Sequence, residues 1–172
     1  KGAVEEILAM CQTVSYKSQV SPITKEIKEN VQRISKKMNS DGLRVIAVCE
    51  KIVSSDITEF DVSFEKNMTL VGFIGFLDPP KESAKESVKL LNKSGIRVIV
   101  LTGDNAEVTK CICDKVGIFS KKIILGSQLD KLPDPAVKRL LKINNIYAKL
   151  SPIQKARIIR LLKESKNTVG YM

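Results

Sequence analysis

Two consecutive prolines, Pro79 and Pro80, preceded by Asp78, constrain this chain more than any other feature. Neither has an amide proton for a strand ladder or a helix interior, and each narrows the backbone of the residue before it. A boundary is therefore expected there, between a segment 1–77 and a segment 78–172. The rhythm of apolar residues changes across it.

Before the boundary, Val4, Ile7, Leu8 and Cys11 recur at helical spacing with Glu5 and Glu6 in the first turn, which predicts a helix over residues 4–11. A polar stretch follows. Pro22 is then expected to open a second helix carrying Ile23, Ile27, Val31, Ile34 and Met38, ending at Asp41-Gly42. Strands are predicted over 43–53 and 68–77, antiparallel and joined by a polar loop over 54–67. Two helices and two strands make an α+β unit with too little sheet for a complete domain, so more sheet is expected ahead of Lys1.

Beyond the boundary, helices and strands alternate. Helices are predicted over 81–93, 105–116, 134–143 and 152–163, and strands over 96–101, 123–125, 146–150 and 168–172. That alternation argues for an α/β architecture with a doubly wound parallel sheet.

Composition removes several functional classes. The chain has 172 residues, 43% of them apolar and 28% charged, a profile that suits a soluble globular protein. No apolar run approaches the ~20 residues that cross a bilayer. The opening Lys1-Gly2-Ala3-Val4-Glu5-Glu6 is unlike a secretory signal and, lacking a methionine, reads as cut from something longer. A net charge of +10 points to anions, yet the basic residues are scattered and aromatics are few, which argues against nucleic acid. Four cysteines (Cys11, Cys49, Cys111, Cys113) and no histidine give no metal framework, and read as reduced core thiols.

The chemistry concentrates where strand 96–101 ends in Thr102-Gly103-Asp104. Side chains at the carboxyl end of a strand in an open α/β sheet face the crevice where ligands sit, and a glycine lets amides approach an anion closely. Ser151 is expected to cap the last helix with Pro152 at its first position, placing Lys155 at its positive end. Asn105 opens another helix, so two positive helix starts would meet at one sheet edge. A hydroxyl, an amide and an ammonium are what phosphoryl transfer uses against equatorial oxygens. The plainer reading is that Thr102 and Asp104 cap a helix and Lys155 is a surface lysine.

Asp-Gly-Leu-Arg-Val at 41–45, Leu-Asp-Pro-Pro-Lys at 77–81, Leu-Thr-Gly-Asp at 101–104 and Ser-Pro-x-x-Lys at 151–155 together resemble the cytoplasmic part of P-type cation-transporting ATPases. Lys1-Gly2-Ala3-Val4-Glu5 is similar to the family's Lys-Gly-Ala-Pro-Glu segment, with Val4 in place of proline as in the bacterial magnesium-transporting branch.

The resemblance implies the C-terminal part of a nucleotide-binding domain over 1–77 and part of a haloacid-dehalogenase-like phosphorylation domain over 78–172. Lys1 and Gly2 would line an adenosine pocket, Arg44 would reach phosphates or ribose, and Asp78 would sit at a hinge near the nucleotide. Thr102 and Gly103 would hold the transferred phosphoryl group, Asp104 would support their loop and the nucleotide or metal, and Lys155 would neutralise the phosphoryl charge. Lys149 and Arg157 are weaker candidates, equally explained as charged helix-face residues.

The implied cofactors are ATP and Mg2+, the latter held mostly by residues outside this chain, and no metal ligand is assigned within it. The implied partners are the actuator and transmembrane domains of the same polypeptide, at the cytoplasmic side of the cell membrane, with no membrane insertion of this segment. The family's Asp-Lys-Thr-Gly and Gly-Asp-Gly segments do not occur among these residues, so no phosphoenzyme is expected from the chain alone. Two rival readings are a soluble haloacid-dehalogenase-type phosphatase and a noncatalytic nucleotide-sensing module.

Overall fold

The computed structural model describes residues 1–171, which divide after Asp78 into two compact units. The first contains, in chain order, α1 (Val4–Met10), β1 (Cys11–Tyr16), β2 (Gln19–Pro22), α2 (Lys25–Ser40), β3 (Leu43–Glu50) and β4 (Met68–Leu77). Its sheet runs β2-β1-β4-β3, with β1 and β4 parallel and the other neighbours antiparallel. The β3–β4 ladder extends from Leu43 opposite Leu77 to Glu50 opposite Thr69, with Val71 as the extra residue of a bulge. Val4, Ile7 and Leu8 of α1 and Val31 of α2 bury against Cys11, Val45, Ala47 and Leu70 of the sheet. Full burial of each such side chain contributes about 1.5–3 kcal/mol, so this one-sided core holds both helices on the same face.

The unit has twice the strands expected. The stretch read as polar is the β1–β2 hairpin, turned by Lys17 and Ser18 at φ 48° and 63°. A tight hairpin of this hand normally advertises itself with Asn-Gly or Asp-Gly, and neither is present here. Cys11 is the first residue of β1 rather than the last of α1, because its backbone is already extended. Pro22 closes the edge strand β2, where its missing amide costs little. The helix it was expected to open starts at Lys25, with the Thr24 hydroxyl accepting from the Ile27 amide at 3.2 Å. β3 ends at Glu50, short of residue 53, because β4 supplies no partner beyond Thr69 and Met68.

The second unit contains α3 (Ala84–Lys93), β5 (Val100–Leu101), α4 (Ala106–Val116), β6 (Ile123–Leu125), α5 (Gly126–Leu129), α6 (Asp134–Ile143), β7 (Ile146–Ala148) and α7 (Pro152–Glu164). Its strands are all parallel in the order β5-β7-β6. Successive residues of β7 face opposite ways. Ile146 joins Val88, Cys113, Val116 and Ile118 on the side of α3 and α4, whereas Tyr147 joins Val137, Leu141, Ile158 and Leu161 on the side of α6 and α7. The chain is thus α/β, with one mixed sheet and one parallel sheet.

Several boundaries differ from expectation. The strand expected over 96–101 pairs only at Val100 and Leu101, since β7 begins opposite Val100. Arg97 instead points its guanidinium at the end of α6, donating to the carbonyls of Asn144 at 2.9 Å and of Leu141 and to Asn145 Oδ1 at 2.8 Å. β7 stops at Ala148 because Lys149 turns away at φ 51°. Residues 81–83 form a turn ahead of α3, and Asn105 is the cap of α4 rather than its first residue. Residues 168–171 of the expected last strand enter no ladder, and Met172 lies outside the described residues. Among the described residues no helix is long and apolar enough to cross a membrane.

Candidate functional site

In the second unit the parallel sheet delivers two loops to one edge. The Thr102 amide donates to the Tyr147 carbonyl at 3.0 Å, which carries the β5–β7 ladder one step past the strand. Leu150 then donates to the Thr102 carbonyl at 2.9 Å and Lys149 to the Asp104 carbonyl at 2.8 Å. The loop 102–104 and the turn 149–151 are therefore stitched backbone to backbone. A Cβ on the exposed Gly103 would meet nothing closer than the Leu150 carbonyl at 3.6 Å.

Within the first loop the Thr102 hydroxyl donates to Asp104 Oδ2 at 3.0 Å and accepts from the Asp104 amide at 3.1 Å. This small ring holds the loop in one shape. α4 leaves it through Asn105, whose side chain accepts from the Val108 amide at 2.9 Å and whose carbonyl takes the Thr109 hydroxyl at 2.6 Å.

The second loop opens α7 with a capping box. Ser151 Oγ accepts from the Gln154 amide at 3.2 Å, and Gln154 Oε1 accepts from the Ser151 amide at 2.9 Å. Lys155 follows at the fourth helical position, half-buried, at the positive end of the helix dipole. Thr102, Gly103, Asp104 and the start of the helix that carries Lys155 are thereby brought to one corner of the unit.

The two weaker candidates separate. Lys149 lies exposed in the turn itself, in a left-handed conformation unusual for a residue with a Cβ. Arg157 belongs to the scaffold: its guanidinium donates to Asp134 Oδ1 at 2.7 Å and to the carbonyls of Leu129 at 2.9 Å and Leu132 at 2.7 Å. It ties α7 to α5 and α6.

In the first unit Gly2 makes an antiparallel bridge to Ala47, with reciprocal hydrogen bonds of 3.1 and 3.0 Å. Its missing Cβ would touch Ile7 at 3.5 Å, on the core side of the sheet. Strand alternation puts Lys1 and Arg44 on the opposite side. The same side carries Ile46 and Val48 of β3 and, across the ladder, Ile74 and Phe76 of β4. Ile74 and Phe76 are 46% and 49% exposed, so an apolar seat lies open between two cationic residues. Asp78 is exposed just past Phe76, the residue paired with Arg44. Ile46, Ile74 and Phe76 were not singled out from sequence, although their alternation with core-facing Val45, Ala47 and Phe73 is the signal that marks them. Among the described residues no three His, Cys, Asp or Glu side chains converge as metal ligands.

Residues 1–83 match the family profile described as P-type ATPase, cytoplasmic domain N. Across its full length the chain is 35% identical to "Magnesium-transporting ATPase, P-type 1" of Escherichia coli and 37% identical to the protein of that name from Salmonella typhimurium. It is 27% identical, over 99% of its length, to "Calcium-transporting ATPase 1" of Bacillus cereus. In each case it covers 19% of the relative, so the chain spans about a fifth of the length of the curated proteins it matches.

Proposed function

Because this chain belongs to the P-type ATPases, we propose that it is a cytoplasmic segment of an ATP-driven cation pump that binds ATP and transfers its γ-phosphoryl group to an aspartate elsewhere in the polypeptide. The first unit is the C-terminal part of the nucleotide-binding domain, and the second is part of a haloacid-dehalogenase-like phosphorylation domain. The transported ion is magnesium, a reading supported by the names of the relatives from Escherichia coli and Salmonella typhimurium. The pump sits in the cell membrane with both units on its cytoplasmic side.

The observation that carries the phosphoryl half is the backbone stitching of Thr102-Gly103-Asp104 to the turn that starts the Lys155 helix. An anion at that corner meets the Thr102 hydroxyl, the Gly103 amide and the Lys155 ammonium, groups aimed at oxygens whose charge is redistributed as the phosphoryl group leaves ADP. The single proton of the Thr102 hydroxyl rests on Asp104 Oδ2 at 3.0 Å and would turn to the anion on binding. The adenosine half rests on the seat of Ile46, Val48, Ile74 and Phe76, whose apolar area suits a purine ring while Lys1 and Arg44 suit ribose and phosphate. When bound, Mg2+ would neutralise phosphate oxygens, with most of its ligands supplied by residues outside this chain. Without the acceptor aspartate the 172-residue chain binds nucleotide and does not turn it over.

Titration of the chain with a nonhydrolysable ATP analogue, followed by amide NMR, tests this. The expected result is shifts at residues 1–3, 44–48 and 74–76 that Arg44→Ala weakens. Shifts confined to the second unit, with Lys1 and Arg44 substitutions silent, would overturn the pump reading in favour of a phosphatase-like one.

A further inference from the structure

Gln154 joins three groups, from the turn 149–151 and from α5 with its cap, through one side chain. Oε1 accepts from the Ser151 amide at 2.9 Å, while Nε2 donates to the Gly126 carbonyl at 3.2 Å and to both carboxylate oxygens of Asp130 at 2.8 Å each. Only a primary amide both accepts and donates in this way, so neither a carboxylate nor a lysine reproduces the set. The approach beneath it is close: a Cβ on Gly126 would stand 2.4 Å from Gln154 Oε1 and 2.4 Å from the Lys149 carbonyl. α5 therefore begins directly under the turn 149–151, and that turn is the one whose Lys149 and Leu150 amides reach the Asp104 and Thr102 carbonyls.

Starting α7 does not require the contact with Asp130. Ser151 Oγ already accepts the Gln154 amide at 3.2 Å, and Pro152 at the first helical position has no proton to satisfy. The link to Asp130 and Gly126 adds an anchor for the first turn of the helix, outside the helix itself. We infer that Gln154 is a positioning residue, which through Asp130 and Gly126 fixes the rotation of the first turn of α7 and hence the placement of the Lys155 ammonium beside Thr102-Gly103-Asp104. The inference rests on the phosphoryl-site reading above. An electrostatic site needs its cation held in advance, since a side chain that must be ordered at the moment of binding loses affinity to that ordering.

The test measures the affinity of the 172-residue chain for inorganic phosphate from amide shifts at Thr102 and Gly103. Gln154→Ala is expected to weaken binding roughly tenfold, the loss typical when the support of a binding residue is removed. Gln154→Glu alone sets a carboxylate against Asp130 and binds at least as weakly. Combined with Asp130→Asn, donor and acceptor are exchanged at residue 130, that link re-forms without the one to Gly126, and part of the affinity returns. A merely structural role would give no such polarity-dependent rescue, and thermal midpoints of the variants check that the fold persists. Gln154→Ala binding as tightly as the parent, while Lys155→Met has lost binding, overturns the inference and leaves the phosphoryl site standing. So does a double variant no tighter than Gln154→Glu. A parent chain blind to phosphate, or unaffected by Lys155→Met, overturns the phosphoryl reading and this inference with it.

Discussion

The Leu150 amide donates to the Thr102 carbonyl across 2.9 Å, although 48 positions separate the two residues in the chain. This bond continues the pairing of β5 with β7 past the ends of both strands, so the sheet itself sets the register between the two loops of the candidate site. Rigid scaffolds that place loops in this way are where binding groups concentrate.

Thr102 should therefore be sensitive to loss of its hydroxyl. Thr102→Val leaves the Asp104 amide without its 3.1 Å acceptor and Asp104 Oδ2 without its 3.0 Å donor. The expected cost is about 1–3 kcal/mol, whereas Thr102→Ser keeps both bonds and stays close to the parent. Urea unfolding of the second unit, followed at Tyr147, checks the ordering; equal stability of the Val and Ser variants would show that the ring contributes nothing.

Acid should loosen the second unit through Asp134. The guanidiniums of Arg160 and then Arg157 hold its carboxyl below the usual carboxylate range, and Lys138 and then Arg160 do the same for Glu164. A lowered folded pKa contributes stability that is complete above the unfolded value of about 3.9 and is lost as pH falls through the folded value. Thermal midpoints should hold steady from neutral pH down to about 5 and then decline. Asp134→Asn should lower the midpoint at neutral pH and flatten that decline; an unchanged slope would mean that the ion pairs are too well solvated to matter.

Legibility in the sequence followed the length of the periodic pattern. β4, β6 and α6 fall on the expected residues because each has an apolar run bounded by a turn or a proline. The β1–β2 hairpin was hidden because Lys17 and Ser18 adopt left-handed backbone without the glycine or asparagine that announces it. Ser151 stood out because capping chemistry is local and leaves a pattern within four residues, and Thr102 because it ends an apolar strand run at the edge where ligands sit. The roles of Gln154 and Arg157 were not legible, since their partners Asp130 and Asp134 lie 24 and 23 positions away and nothing in the spacing marks the pairing. Likewise the apolar seat of Ile46, Ile74 and Phe76 emerges only once the register of β3 against β4 is known.

The cysteines give a last check on the two cores. Burial pushes the Cys113 thiol up to about 11, with the neighbouring Asp114 charge adding to it. Burial and then the adjacent Cys49 push Cys11 up to about 11. A thiol attacks an alkylating agent only as the thiolate, so both should be silent in mildly alkaline buffer for two reasons, low thiolate population and no access. Cys49 and Cys111 are half-buried and should be carbamidomethylated first by iodoacetamide. Peptide mapping after a brief exposure should find label on those two, and all four should react together in denaturant. Each slow thiol reports on one unit, because Cys11 packs with Val4, Ile7 and Leu8 and Cys113 with Val88, Val116 and Ile146. Early label at Cys11 alone would show the first unit opening while the second stays closed, and the reverse pattern would place the weaker core in the second unit.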